Sequence, residues 1–330
     1  MKQPEIEPHS TAFYYQTTQH GIASHEATVA YTFRHITGER NPFFRSRLSY
    51  GKTVAKQLIE KGLLADSKEV LEIGGGEGQL AEELLSYVRF RRVNLGSYTM
   101  LDLNPYLLEM QRASMQSHSK RLDIHYILAD ALRLPLASNN VDLFIANEVI
   151  ADFPVIKNLS PDDVDAFPNI PRSKYNDSDM ELLAQAAELI KTYGLAMPDD
   201  GERFHLNYGA IQLLFVIHSV LRSGGAAFIT EHSSEVTRTE YWDNIPGFDA
   251  PPTGIGFPAE VELDGHSEFG IKFSHLETIA EQIGFEVESG PLHEFVRLKD
   301  YNLIEFEDDV TQLNPVCTLL QFRYLILRKG

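Results

Sequence analysis

The stretch Val70-Leu71-Glu72-Ile73-Gly74-Gly75-Gly76-Glu77-Gly78-Gln79-Leu80 decides how this chain is read. Val70 to Ile73 has the length and apolar character of a short buried strand, the glycines form a tight turn, and Leu80 to Val88 follows with helical period. A nucleotide-like ligand must approach the backbone closely at such a strand end, and glycine leaves room for that contact. Gly74, Gly76 and Gly78 fit this role, whereas Gly75 serves equally well as a simple turn residue and Glu77 reads as solvated.

The same rhythm continues outward. Tyr98-Thr99-Met100-Leu101-Asp102 is a second strand ending in an acid, and a helix follows through Met110 to Met115. Ile124 to Asp130 supplies a third strand and Val141 to Ala146 a fourth. A helix from Ala210 to Leu221, carrying the core stripe Leu213 to Ile217, runs to Ser223-Gly224-Gly225, read as its C-cap and turn, before a fifth strand over Ala226 to Thr230. After a helix from His275 to Ile283, Phe285 to Glu288 and Leu319 to Leu327 read as a closing strand pair. Repeated βα units predict an α/β fold: a doubly wound, mainly parallel sheet with helices on both faces.

Residues 1–67 read as an N-terminal helical cap, with helical spacing around Val29 to Phe33 and Val54 to Ile59 and a break at Asn41-Pro42. Residues 68–330 form the main domain, with insertions at 155–206 and 233–270 that are too long for ordinary loops. The first carries a helix from Met180 to Thr192, and the second holds Trp242. Both leave carboxyl ends of strands, the edge where open α/β sheets bind ligands, so they are expected to wall a substrate pocket.

Twenty-nine Lys and Arg against 47 Asp and Glu give a net charge of −18, a field that opposes nucleic-acid binding and favours a neutral or cationic substrate. The lone Cys317 excludes an internal disulfide or a zinc ribbon and fits a reducing compartment. No signal-like apolar run opens the chain, and no stretch reaches the roughly 18 apolar residues of a membrane span. A cytoplasmic protein with no membrane association is expected. His9, His20, His25 and His35 show no i, i+4 ligand pair, so no metal site is read there, and Glu305 to Asp309 reads as a solvated acidic face.

Glycine turns also serve NAD, FAD and nucleotides. Here the spacing is G-x-G-x-G with Gln79 where a dinucleotide fingerprint needs glycine, Glu72 precedes the loop, and no G-K-[ST] follows. Asp102 offers acceptors to both hydroxyls of a ribose. Asn104, just before Pro105, is the N-cap of the next helix.

Over roughly residues 68–232 these pieces together resemble the class I S-adenosylmethionine-dependent methyltransferases. Leu101-Asp102-Leu103-Asn104-Pro105 is similar to that family's ribose-binding strand end, and Ala129-Asp130-Ala131-Leu132-Arg133-Leu134-Pro135 to its adenine-binding turn. Val141 to Glu148 is similar to its fourth strand and catalytic edge. The resemblance implies S-adenosylmethionine as cofactor, with Glu72, Gly74, Gly76, Gly78, Asp102, Asp130, Ala131 and Asn147 on its side of the site. It implies no metal.

The acceptor would lie against Asn147-Glu148-Val149-Ile150-Ala151-Asp152, where Glu148 and Asp152 could orient an amine or guanidinium or take its proton. Asp152 could equally cap a turn before Pro154. This segment also resembles the MidA-like methyltransferases, a branch linked to protein arginine methylation and respiratory complex I assembly, and His266-Ser267-Glu268-Phe269 adds a fainter likeness. Two departures stand: the branch's Asp-Ala order is Ala151-Asp152 here, and its proline-bearing loop is Gly74-Gly75-Gly76. Of His205, His218 and His232, only His232 is a secondary candidate base. The acceptor is a small molecule or a protein. An NAD-dependent oxidoreductase, disfavoured by Gln79, and a non-catalytic interaction module are the alternatives.

Overall fold

The computed structural model describes residues 6–17, 29–30, 33, 43–171, 174–199, 201–235, 256–262, 266–299, 319 and 321–330. Trp242, Cys317, His20, His25, His35, the Asn41-Pro42 break and the acidic run from Glu305 lie outside the described residues. In chain order the strands are β1 (Glu7–His9), β2 (Glu69–Ile73), β3 (Ser97–Asp102), β4 (Asp123–Leu128), β5 (Val141–Asn147), β6 (Val155–Leu159), β7 (Phe204–Leu206), β8 (Leu221–His232), β9 (Glu260–Glu262), β10 (Ser267–Phe269), β11 (Phe285–Pro291) and β12 (Phe322–Lys329).

Seven of them form one sheet in the order β11-β12-β8-β5-β2-β3-β4. Strands β4, β3, β2, β5 and β8 run parallel, and β12 is antiparallel to both of its neighbours. This is the doubly wound, mainly parallel sheet expected from the βα rhythm, closed by the expected strand pair. Side-chain alternation divides the core between its two faces. Leu71, Ile73, Phe144, Ala146, Ala227, Ile229, Leu325 and Leu327 pack on one side with helices Asp177–Tyr193, Tyr208–Val220 and Phe273–Gln282. Val70, Tyr98, Met100, Leu143, Ile145, Phe228 and Ile326 pack on the other with helices Tyr50–Glu60 and Gln79–Phe90.

Two features differ from the sequence expectations. The turn expected at Ser223-Gly224-Gly225 is a bulge inside β8: helix Tyr208–Val220 passes directly into the strand, and the β5–β8 register shifts between Val141 and Leu143. Gly224 takes φ +75°, and a Cβ on Gly225 would stand 2.9 Å from the Arg222 carbonyl oxygen, so both glycines are explained without a loop. The insertion after β5 is also more ordered than a bare lid. Its strands β6 and β7 join β1 in a small antiparallel sheet, and the N-terminal segment therefore contributes a strand besides helices Ala12–Thr17 and Tyr50–Glu60. Among the described residues, no helix is long and apolar enough to cross a membrane.

Candidate active site

Strand order reverses between β2 and β5, because β2 is followed by β3 on one side while β5 lies on the other. That switch opens a crevice at the carboxyl edge of an α/β sheet, and the glycine loop leaves β2 at this point. Gly74, Gly76 and Gly78 all take left-handed backbone, with φ of +59°, +51° and +83°. A Cβ on Gly74 would lie 2.3 Å from Val149 Cγ2, whereas one on Gly76 would meet nothing within 4 Å. Gly74 is thus required by packing against β5's exit, and Gly76 presents bare backbone to open space.

Glu72 does not face that space. It is buried beneath the loop, its Oε2 accepts from Tyr98 OH at 2.9 Å, and a Cβ on Gly75 would stand 3.3 Å from its Cδ. Burial raises its carboxyl to about 7, against the lowering effect of the tyrosine bond. Its geometry is that of a support for the loop.

Asp102 ends β3 beside the loop. Its Oδ1 accepts from Asn104 N at 2.9 Å and its Oδ2 from Gln111 Nε2 at 2.8 Å; the same Gln111 Nε2 donates to Gly76 O at 2.9 Å. Gln111 therefore ties the glycine loop to the acid. The Leu103 backbone also bonds this carboxylate, which keeps acceptor capacity for a hydroxyl donor. Burial, opposed by these bonds, raises the Asp102 carboxyl to about 6. Asn104 is the expected N-cap, accepting from Tyr106 N and Leu107 N, and its Nδ2 also donates to Tyr15 O at 2.7 Å. At the end of β4, Asp130 accepts from Leu132 N at 2.9 Å and starts a short 3₁₀ turn over Ala131–Arg133. Glu72, the glycines, Asp102 and Asp130 thus follow the ends of three adjacent strands.

The β5 exit is tightly bonded. Asn147 Oδ1 accepts from Tyr50 OH at 2.9 Å and Thr230 Oγ1 at 2.8 Å, and its Nδ2 donates to Glu148 Oε1 at 2.8 Å. The other carboxylate oxygen of Glu148 accepts from Val29 N at 2.8 Å. Glu148 has φ +54°, a left-handed conformation that costs a non-glycine residue energy and collects at functional sites. Burial, with charge repulsion from Glu231 and Glu268 and against the Val29 and Asn147 bonds, raises its carboxyl to about 8.

Across from it on β8, Glu231 accepts from Ala151 N at 3.2 Å and from His232 N at 2.9 Å, and its Oε1 lies 3.1 Å from His232 Nδ1. Burial pushes the His232 pKa down, but the bond to Glu231 and the charges of Glu231, Glu268 and Glu148 raise it on balance. His205 and His218 serve packing: His205 Nδ1 accepts from Asn158 N in the small sheet and His218 meets Phe285 edge-on.

Asp152 closes the turn after β5. Thr11 Oγ1 donates to its carbonyl at 2.6 Å, and its carboxylate lies 3.7 Å from His266 Nε2. His266 stacks on Tyr14, with ring centroids 4.4 Å apart, and Glu268 approaches the same ring nitrogen at 3.8 Å. Gln111, Glu231, His266 and Glu268 were not legible as site residues from local spacing. The available signals were Gln111 on the helix after the ribose acid, and the alternation of His266 with Glu268 on an extended segment.

Residues 53–240, more than half of the chain, match the family described as "Putative S-adenosyl-L-methionine-dependent methyltransferase". No curated protein matches the chain. Among solved structures, an uncharacterised conserved protein from Burkholderia thailandensis is 15% identical, with a TM-score of 0.54 over 94% of this chain and 89% of that one. An S-adenosylmethionine-dependent methyltransferase from Mesorhizobium loti is 12% identical, with a TM-score of 0.44 over 83% of this chain and 98% of that one. At these identities the likeness to the Burkholderia protein speaks for the fold alone.

Proposed function

This chain belongs to the family of S-adenosyl-L-methionine-dependent methyltransferases, and we propose that it methylates a nitrogen nucleophile, with Glu148 and Asp152 on the acceptor side of the site. The observation that carries this reading is Glu148 itself: half-buried, held in left-handed backbone at the switch point, and with a carboxyl raised to about 8. A carboxylate so placed is a far stronger proton acceptor than an exposed one.

The residues of the crevice fit the cofactor. Gly76 offers open backbone, Asp102 keeps acceptor capacity for a ribose hydroxyl, and Asp130 with Ala131 stands at the next strand end for the adenine. Gly74 and Gly78 shape the loop that would seat the amino-acid end, Asn147 braces the β5 exit between them, and Glu72 supports the loop from below. Bound S-adenosylmethionine supplies an electrophilic methyl group on a sulfonium centre. The chain's own part is to hold the acceptor in line and to receive its proton.

Val29 N and Asn147 Nδ2 fix the Glu148 carboxylate, so its position does not relax when an acceptor arrives. Once ionised, it accepts the proton that the nitrogen sheds as its new bond to carbon forms. Glu231 and His232 lie on the neighbouring strand as a hydrogen-bonded acid and imidazole. Asp152 supplies a second anion to orient a cationic head group. The likeness of Asn147 to Pro154 to the MidA-like branch favours the guanidinium of a protein arginine as that head group.

A labelled-methyl assay over arginine peptides, lysine peptides and small amines tests the proposal. Transfer to a nitrogen is expected, and Glu148→Gln should lower kcat by roughly 100-fold or more, within the range of general-base effects, with little change in cofactor affinity. Equal kcat in wild type and variant would remove Glu148 from the reaction.

A further inference from the structure

His266 and Glu268 are two residues apart at the start of β10, so strand alternation turns both side chains to one face. That face meets Asp152. His266 Nε2 lies 3.7 Å from Asp152 Oδ1 and 3.8 Å from Glu268 Oε1, and one ligand atom from each residue falls within 4.8 Å of the others. We propose that Asp152, His266 and Glu268 form a binding site for a divalent transition-metal ion, Mn(II) or Zn(II), in the wall of the acceptor pocket.

One imidazole nitrogen and two carboxylate oxygens make a donor set that suits both ions. Bonds of about 2.0–2.2 Å hold neighbouring ligand atoms roughly 3.0–3.5 Å apart in tetrahedral or octahedral geometry. The two separations from His266 Nε2 exceed this by a few tenths of an ångström, and the three ligand atoms, all within 4.8 Å of one another, would draw together by side-chain rotation around a bound ion. The ligands are also held in advance. The His266 side chain is 3% exposed, Tyr14 stacks on its ring with an interplanar angle of 16°, and Tyr15 meets it edge-on at 5.6 Å.

The charge around the cluster points independently to a cation. Glu231 is buried and Glu148 half-buried on the same edge as Glu268, and among the described residues no lysine or arginine forms an ion pair with any of the three. Several acids elsewhere in the fold do pair with a cation: Glu288 with Lys61 and Arg328, Glu277 with Arg323, and Glu260 with Lys157. A dication at Asp152, His266 and Glu268 would offset the mutual repulsion of these carboxylates.

With an ion bound, Asp152 would serve as a metal ligand in place of the head-group contact proposed above, and the site does not depend on methyl transfer. Its test is titration of Mn(II) and of Zn(II) into the full chain after stripping with EDTA, followed by calorimetry, with electron paramagnetic resonance for Mn(II). One ion per chain is expected, and Glu268→Gln and His266→Ala should each weaken binding at least tenfold. Should His266→Ala fail to fold, the near-isosteric Glu268→Gln carries the comparison. Absence of binding at millimolar ion, or wild-type affinity in Glu268→Gln, overturns the proposal. Titrating S-adenosylmethionine into the same metal-free protein reads the methyltransferase assignment separately.

Discussion

Two carboxylates on the carboxyl edge, Asp102 buried and Glu148 half-buried, are central at the residue scale. Asp102 keeps its charge down to about pH 6, and its bonds to Asn104 and Gln111 aim it along the glycine loop. Asp102→Ala should weaken S-adenosylmethionine binding by roughly tenfold or more, about 1.4 kcal/mol for a lost charge-assisted pair, as read by calorimetry. Unchanged affinity would remove Asp102 from the site. Glu148 makes a prediction about stability. Its carboxyl titrates near 8 in the fold against an ordinary 4.5, so the folded state holds the proton more tightly than the unfolded chain does. Stability from this group is therefore complete below about pH 4.5 and is lost as pH rises through about 8, by on the order of 3–5 kcal/mol. Thermal unfolding between pH 5 and 9 should show this loss, and Glu148→Gln should flatten it; identical slopes would mean that Glu148 is not buried as an acid. Asp102 was legible from sequence because it ends a strand next to the glycine loop. The state of Glu148 was not, because its raised pKa comes from desolvation in the fold and from Glu231 and Glu268, which are remote in the sequence.

Among elements, β2, its loop and the helix after it were legible because strand alternation, glycine turns and helical period are local signals. Gly74 shows how sharp the constraint is. Its φ is +59° and Val149 fills the space where a Cβ would go, so Gly74→Ala should cost roughly 1–3 kcal/mol and abolish cofactor binding, measurable by denaturation and calorimetry. A variant as stable as wild type would mean that the loop is not packed as described. The small sheet β1-β6-β7 and the bulge at Gly224 escaped the sequence because both depend on pairing between distant strands. A Ser-Gly-Gly run has the same local meaning whether it ends a helix or bends a strand.

On the scale of the whole molecule, the site is assembled from distant parts of the chain. Thr11 reaches Asp152, Tyr15 reaches Asn104, Val29 reaches Glu148, Tyr50 reaches Asn147, and His266 reaches Asp152 from the second insertion. The proposed cofactor half lies on consecutive βα units and could be read in order. The proposed acceptor half draws on the N-terminal segment and the insertions at the sheet edge, and no local pattern announces that. The central claim is that the crevice at the β2–β5 switch holds S-adenosylmethionine and not a dinucleotide. Isothermal titration of the full chain with S-adenosylmethionine and, separately, with NAD tests it most directly: one equivalent of S-adenosylmethionine should bind and NAD should not, whereas NAD binding without S-adenosylmethionine binding would contradict the account.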